Sequence, residues 1–468
     1  MKNNTLQKNW VIWSLSIYIL FPALCFVIVG KFISLTNIGI VNLDILLLMV
    51  FSRYLNNVSL TIVYCFLVVS ELVTSSAHSY YFSVSDFIYS TKYLLQSNFG
   101  SIILLSLTLI IILLAWSVYK TFNRFKQKIP IWFSISLLFL FSLADVLNGS
   151  SSRFYLSLNK DQHTKTVIDY NIASSSLLQT YFELKYQLSA ESIDKNDFII
   201  STKFRESISG LEIFDKNKKP NICLIIMESF GINKDQNDYL SIIKPISNLN
   251  KNFIVELNKE RFYGSTVSAE TKELLGIKNI AFRKLKYIDT TNSDYIIPKK
   301  LKSEGYKSYA FHGYSGFMYD REYWWPNVGF DTSFFLEDYL NKNTKMVGVG
   351  LKGLSDKFLI HEIKEKILSD KNDSPFFIYL LTLNAHLPLS NNLNAEYNIL
   401  GFDTLTTTQI IDSVNYKLIQ EISDLVKASH NTWFFIVGDH PPPLGSELNK
   451  HYDNKFIPSI FIKPLKKN

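Results

Sequence analysis

The chain has 468 residues, with 48 Lys and Arg against 41 Asp and Glu, 47% apolar residues and only 18 Gly, 13 Pro and 3 Cys. That composition excludes a disordered or collagen-like chain, and three cysteines exclude a disulfide scaffold. The charge is uneven: residues 1–150 hold 9 Lys/Arg and 4 Asp/Glu, so +5 of the net +7 sits in an almost uncharged first third. No nucleic-acid partner is implied by it.

Five apolar runs fill that third, at about 10–33, 38–51, 58–82, 100–118 and 129–147. A helix crossing ~30 Å of hydrocarbon needs about 20 apolar residues. The first, third, fourth and fifth runs meet or approach that length, while the second is short and carries Asp44. The first run has no small-x-small cleavage site and is followed at once by more apolar runs, so it reads as an uncleaved span. Seven Lys/Arg (Lys2, Lys8, Arg53, Lys120, Arg124, Lys126, Lys128) fall in segments that face the cytoplasm if the N-terminus does, against Lys31 and Lys92 on the other side. Positive residues stay inside, so five spans with the N-terminus inside carry everything after about residue 148 out of the cytoplasm. Asp44 and Glu71 lie within apolar runs, where an ionisable group invites a functional question, and hydrogen bonding between packed helices is the plainer expectation.

Residues 149–205 read as a juxtamembrane helical linker, with a helical pattern around 164–188. From 206 to 468 the pattern becomes that of a soluble domain. Apolar runs at 221–228, 307–313, 376–383, 432–439 and 457–464 alternate with helical segments such as 356–368 and 408–428. Continuous apolar strands separated by helices predict an α/β fold with a mostly parallel sheet covered on both faces. With one cysteine, Cys223, this domain holds no internal disulfide.

In such sheets ligands bind beyond the carboxyl ends of the strands. Reactive residues fall there repeatedly: Glu228, His312, His386 and the pair Asp439–His440. Glu228, Asp439 and His440 form a mixed oxygen and nitrogen set suited to Zn²⁺ or Mn²⁺. In YGSTVSAETKELLGI (263–277) a turn at Gly264–Ser265 precedes a short helix, placing Thr266 at its N-terminus. There the residue is either a simple cap or a nucleophile activated by a neighbouring cation, beside backbone N–H groups that favour phosphate. Arg321, with Tyr319 nearby in GFMYDREYWWPNVGFD, offers a guanidinium for phosphate oxygens. Tyr323, Trp324 and Trp325 fit either a membrane interface or a core.

These motifs resemble, in order, those of membrane-anchored phosphotransferases of the alkaline phosphatase–sulfatase superfamily, the lipoteichoic acid synthases and phosphoethanolamine transferases among them. NICLIIMES is similar to their first ligand strand, STVSAE to the nucleophile segment, FHGYSGFMYDR to the HG…F-W-N-R stretch, NAHLPL to N-H-F-P and GDHPPP to G-D-H-x-P. The resemblance implies five spans (1–148), a linker and an extracytoplasmic alkaline phosphatase-like catalytic domain (206–468) in a bacterial inner membrane. It implies Glu228, Thr266, Asp439 and His440 around one divalent metal, Mn or Zn with Mg as a further choice. Thr266 is then the nucleophile, His386 binds phosphate or transfers protons, Arg321 and Tyr319 contact the head group, and in the resulting mechanism His386 or His312 handles the protons and Glu270 joins the substrate-binding set. The implied reaction moves phosphoglycerol or phosphoethanolamine from a membrane phospholipid to a surface glycan or glycolipid, by a monomer. Tyr319 stands where the synthases have Trp. A hydrolase and a non-catalytic scaffold are the alternatives. The formylglycine motif (C/S)-x-P-x-R of sulfatases does not occur in the chain.

Overall fold

The computed structural model describes residues 15–24, 26, 39–79, 84–96, 112, 115–116, 118–120, 122, 130–148, 171–189, 201–213, 219–277, 282–288, 295–340, 346–347, 352–369, 374–387, 389–429, 431–443 and 448–465. The chain divides into two compact units, Met1–Ser192 and Ile193–Asn468.

In the first unit, strand β1 (Gly39–Asn42) leads into helix α1 (Leu43–Phe51), and helix α2 (Asn57–Ser79) follows. Helices α3 (Val84–Gln96) and α4 (Ile131–Asn148), strand β2 (Asn171–Ser174) and helix α5 (Ser176–Ser189) complete it. Among the described residues one helix, Asn57–Ala77, is long and apolar enough to cross a membrane, and Ile131–Asp145 is a shorter apolar helix. Most of the fourth run, 100–118, and much of the first lie outside the described residues. The second run is not a continuous span. It is a strand and a nine-residue helix, about 14 Å long at 1.5 Å per residue.

The helical reading of 164–188 also needs correction, because β2 occupies 171–174 and pairs in parallel with β1. The two intramembrane-type carboxylates explain that pairing. Asp44 accepts from Ser175 Oγ (2.6 Å), Ser176 Oγ (3.1 Å) and Leu177 N (3.0 Å), capping α5. Glu71 accepts from Asn42 Nδ2 and Ser174 Oγ, each at 2.7 Å. A polar group removed from water must find such partners, and these two join β1, α2 and the start of α5.

The second unit opens with helix α6 (Lys203–Ser209), then strand β3 (Asn221–Met227), helix α7 (Gln236–Ser247), strand β4 (Phe253–Arg261) and helix α8 (Thr266–Leu275). Helix α9 (Ile297–Ser303), strand β5 (Lys307–His312), helix α10 (Arg321–Asn327) and strand β6 (Thr332–Phe334) follow. Next come the short pair β7 (Met346–Val347) and β8 (Gly353–Leu354), helix α11 (Asp356–Ser369) and strand β9 (Phe376–Leu381). Helices α12 (Asn392–Tyr397) and α13 (Thr407–Ala428) precede strands β10 (Thr432–Gly438) and β11 (Phe456–Pro464).

The seven-stranded sheet has the order β4-β11-β10-β3-β9-β5-β6. Strands β10, β3, β9, β5 and β6 run parallel, and β11 is antiparallel to both its neighbours. Alternation divides each strand between two cores. One face is mainly aliphatic: Cys223, Ile225, Ile378 and Ile436 pack with Ile243 and Ile246 of α7, Ile363 of α11 and Leu418 and Ile422 of α13. The other is aromatic. Phe204 of α6 stacks on Phe377 and meets Phe435 edge-on, while Phe330 stacks on Phe377 and Tyr379. Thr202 Oγ1 donates to Glu273, and Arg205 donates to the Glu273 and Tyr295 carbonyls. Residues 202–205, read as linker, are thus part of this core. Trp324 and Trp325 are fully buried as well, so they belong to the core and not to a membrane interface.

Strand β4 escaped the sequence reading because it is a sheet edge with four charged residues in FIVELNKER and only partial burial. Burial pushes the Cys223 thiol far above its ordinary range. We expect Cys223 to resist a thiol-alkylating reagent at pH 8 in the folded protein and to react fully in guanidinium, as read by peptide mass spectrometry. Native-state labelling would contradict this placement.

Candidate active site

Parallel neighbours β3 and β10 end side by side and deliver Glu228 and Asp439 to one rim. Ser229 takes a left-handed conformation (φ 52°), turning the chain away so that its N–H donates to Asp439 Oδ1 at 2.8 Å. His440 N donates to the same oxygen at 2.6 Å, and Ser229 Oγ donates to Glu228 Oε1 at 2.8 Å. Gly438 permits the close approach of the strand ends, since a Cβ there would strike the Phe230 carbonyl. His440 Nδ1 lies 3.0 Å from the Pro441 carbonyl, which only accepts, so Nδ1 carries the proton. Nε2 keeps its lone pair and lies 3.3 Å from Asp439 Oδ2 and 3.8 Å from Glu228 Oε1.

Thr266 is the first residue of α8, and Ser265 is the cap. The Thr266 hydroxyl is therefore free of capping duty. It sits 2.8 Å from Asp439 Oδ2, 3.3 Å from Glu228 Oε2 and 3.5 Å from His440 Nε2. Four residues drawn from three separate stretches of chain thus converge on one point.

The donor set fits a divalent cation. One ligand atom each from Glu228, Asp439 and His440 lies within 4.8 Å of the others, and all three residues are buried. Burial, and then the Glu228 charge, hold the Asp439 carboxyl well above the usual carboxylate range. Two buried carboxylates facing each other and an imidazole lone pair leave a deficit of positive charge that such an ion cancels.

The remaining site residues form a second group. Glu270, fully buried, accepts from Arg321 Nη2 (2.7 Å) and Nε (3.1 Å), Trp325 Nε1 (3.2 Å) and Tyr379 Oη (3.2 Å). Expected to bind substrate, Glu270 instead stands behind Arg321. Arg321 is itself only 2% exposed, with its Nη1 3.4 Å from His312 Nε2. The Tyr319 ring lies over the guanidinium, 4.9 Å from its centroid to Cζ. Tyr319 and Asp320 are both left-handed (φ 59° and 54°), so the turn that presents Arg321 is strained.

His312 Nδ1 donates to the Leu381 carbonyl (3.1 Å), which leaves Nε2 to accept from Arg321. With both nitrogens engaged, His312 orients the guanidinium and is not placed to shuttle protons. Its pKa is driven well below the usual value by burial, then by Arg321. His386 follows β9 in a turn closed by its N–H on the Leu383 carbonyl (2.9 Å), and its ring makes no hydrogen bond among the described residues. Sequence reasoning missed Thr382, whose Oγ1 accepts from Glu228 N at 2.8 Å, and Tyr379 and Trp325, which hold Glu270. Thr382 and Tyr379 lie in an apolar strand and the turn after it, which carry no local mark of the site, and Trp325 was read only for burial or a membrane interface.

The Sulfatase family model matches residues 220–459, just over half of the chain. The chain belongs to the sulfatase family. The match encloses every residue of both groups. A curated relative of this sulfatase-family protein, the "Putative cyclic beta-1,2-glucan modification protein" of Rhizobium meliloti (strain 1021), is 27% identical over 202 residues. That similarity takes in 40% of the chain and 30% of the relative's length. Among solved structures, the lipoteichoic acid synthase LtaP from Listeria monocytogenes aligns with 57% of the chain and 73% of its own (18% identity, TM-score 0.41). The Streptococcus pyogenes phosphoglycerol transferase GacH, solved with sn-glycerol-1-phosphate, aligns with 55% and 72% (16% identity, TM-score 0.36).

Two outcomes follow from the buried charges. Glu270→Ala strands the Arg321 guanidinium and should cost about 3–5 kcal/mol in urea unfolding of the full chain; a loss near zero would mean that Arg321 finds solvent. The depressed His312 pKa means that the unfolded chain takes up a proton near pH 6.5 while the folded one does not. Its contribution is present above that pH and lost as pH falls. Melting temperature should therefore drop less steeply from pH 7 to pH 5 in His312→Asn than in wild type, and equal slopes would refute the assignment.

Proposed function

We propose that the protein moves a phospho-alcohol head group, phosphoglycerol or phosphoethanolamine, from a membrane phospholipid to a surface glycan or glycolipid through a phosphothreonine intermediate. The observation that carries this reading is the Thr266 hydroxyl, placed on both buried carboxylates at a helix N-terminus. With Ser265 in the cap position, the Thr266 hydroxyl has no helix to cap and is aimed into the anionic cluster, which supports a nucleophilic role.

Glu228, Asp439, His440 and the Thr266 hydroxyl would hold one divalent metal, Mn or Zn with Mg as a further choice. When bound, it supplies positive charge that favours the alkoxide of Thr266 and screens the phosphate. Thr266 Oγ attacks phosphorus, its proton already directed at Asp439 Oδ2. The bond from phosphorus to the diacylglycerol oxygen breaks, and His386 gives that oxygen a proton. The acceptor hydroxyl, deprotonated by the same imidazole, then attacks phosphorus; the bond from phosphorus to Thr266 Oγ breaks, and that oxygen regains the proton passed to Asp439 Oδ2 in the first step. Backbone N–H groups at the start of α8 receive the phosphate oxygens.

A membrane phospholipid donor requires the unit built on residues 1–148 to be a multi-pass anchor, with residues 149–205 leading to an extracytoplasmic catalytic domain. The short α1 does not upset that orientation. Asn42, before α1, bonds to Glu71, near the end of α2, so the two helices form a hairpin. A hairpin returns the chain to the side it left, whatever its depth. The name of the rhizobial relative favours a glycan as acceptor.

Purified full-length protein supplied with Mn²⁺ or Zn²⁺ should release diacylglycerol from labelled phosphatidylglycerol or phosphatidylethanolamine and carry the head group on Thr266, visible by mass spectrometry. Thr266→Ala should lower release by more than about a thousandfold. Full release by that variant would end the proposal. Chelation should silence the wild type, and the added metal should restore it.

A further inference from the structure

The turn after β9 serves both groups of the site. Leu381 O accepts from His312, Thr382 Oγ1 accepts from Glu228 N, and half-buried His386 closes the turn through its N–H on the Leu383 carbonyl. What holds the turn is a residue that neither the motifs nor the reaction assigns. Asp356, the first residue of α11, is fully buried. Its Oδ1 accepts from Leu383 N (2.9 Å) and its Oδ2 from Asn384 N (2.8 Å). The contact is reciprocal, because Asp356 N donates to Asn384 Oδ1 (2.8 Å). Asn384 is fixed further by Tyr397 Oη (2.5 Å) and by its own Nδ2 on the Leu354 carbonyl (3.2 Å). Gly353 keeps the partners close, since a Cβ there would meet Leu383 and the Gly313 carbonyl.

We propose that Asp356 is a positioning residue for His386: its carboxylate clamps the Thr382–His386 turn so that the imidazole meets the oxygens entering and leaving Thr266. The choice of residue supports this. Two amide N–H groups need two acceptors in one plane, which a carboxylate offers and a Ser or Asn cap does not. Burying it is costly, and burial lifts the Asp356 pKa to about 7 against the pull of the Asn384 and Leu383 N–H groups. A plain helix start does not need that expense. The clamp also ties the turn to β8, whose Leu354 N donates to Gly313 O (2.7 Å) directly after His312. The proton relay and the Arg321 orienter therefore share one support.

This inference rests on the proposed reaction, so its test has one arm that needs no turnover. In the full-length chain, Asp356→Asn puts an amide N–H against the backbone donors. Hydrogen exchange should quicken in the 382–387 segment while β3 and β10 keep their protection; unchanged exchange at 382–387 overturns the clamp. In the second arm, diacylglycerol release is measured for Asp356→Asn, His386→Gln and the double variant with Mn²⁺ supplied. Each single change should lower kcat about tenfold or more with KM held within about threefold. The double variant should be no slower than His386→Gln, because Asp356 acts through that ring. Losses that multiply would mean that Asp356 only stabilises the fold, and would overturn the proposal. Should Asp356→Asn not fold, Asn384→Ala removes the other half of the clamp and is read in the same way. Quickened exchange in a chain whose wild type releases no diacylglycerol would retain the clamp and reject the reaction.

Discussion

Glu228 and Asp439 end neighbouring parallel strands and are buried against one another, with a threonine hydroxyl 3.3 Å from one and 2.8 Å from the other. Two carboxylates in a low-dielectric setting repel, and desolvation adds to the cost. The surrounding residues contain that repulsion. The Ser229 and His440 N–H groups both point at Asp439 Oδ1, the Ser229 hydroxyl satisfies Glu228, and the Thr382 hydroxyl fixes the Glu228 backbone. None of these donors cancels the charge. A structure that spends so many hydrogen bonds on holding two anions together, with an imidazole lone pair turned toward them, is organised around a cation.

The second buried charge system obeys the opposite rule. Glu270 and Arg321 neutralise each other, and Trp325 and Tyr379 donate further to Glu270 while His312 Nε2 lies against Arg321 Nη1. Such a pair adds little net stability over an apolar pair, but it fixes direction, because a planar guanidinium held on two sides has one orientation. His312, Tyr319 and Glu270 form its frame. Reaction charge is thus met by two kinds of support: an electron-rich cluster that requires an ion, and a closed ion pair that requires nothing. One N–H on each of Nη1 and Nη2 is left over from these bonds, so Arg321 can donate to a substrate phosphate while Glu270 and His312 keep it oriented.

The sequence was most legible where one physical rule acted alone. Strands β3, β5, β9, β10 and β11 were visible because burial on both faces makes them continuously apolar, and their carboxyl ends located Glu228, His312, His386, Asp439 and His440. Thr266 was visible as a helix start but not as a nucleophile, since a cap and a nucleophile look alike until the hydroxyl's partners are known. The roles of Glu270 and His312 depended on contacts across 51 and 69 residues of chain, beyond any local pattern. Strands β1 and β2 were hidden for a different reason. Their hydrophobicity resembles that of the helices around them, and only the partners of Asp44 and Glu71 reveal that the backbone there is extended.

Membership of the sulfatase family sets the frame for the chemistry without choosing it. A sulfatase of the formylglycine type begins from Cys or Ser with Pro two residues on and Arg four residues on, and the residues after Ser265 here are Thr, Val, Ser and Ala. A hydrated aldehyde presents two oxygens on one carbon and discharges its ester by eliminating the group. A threonine has one oxygen and no such route, so its ester must be attacked from outside. In the proposed reaction the lifetime of the adduct would then depend on which hydroxyl reaches phosphorus first, water or acceptor. The imidazole that would deprotonate the attacker lies on the turn after β9, so access to that turn governs the contest. In this chain Asp356, Asn384 and Tyr397 hold the turn from the buried side, and His386 on it lies close enough to His312 to act on its charge. If the proposed transfer holds, a turn fixed in this way would let access to His386, as well as the metal-binding cluster, decide between water and an acceptor hydroxyl.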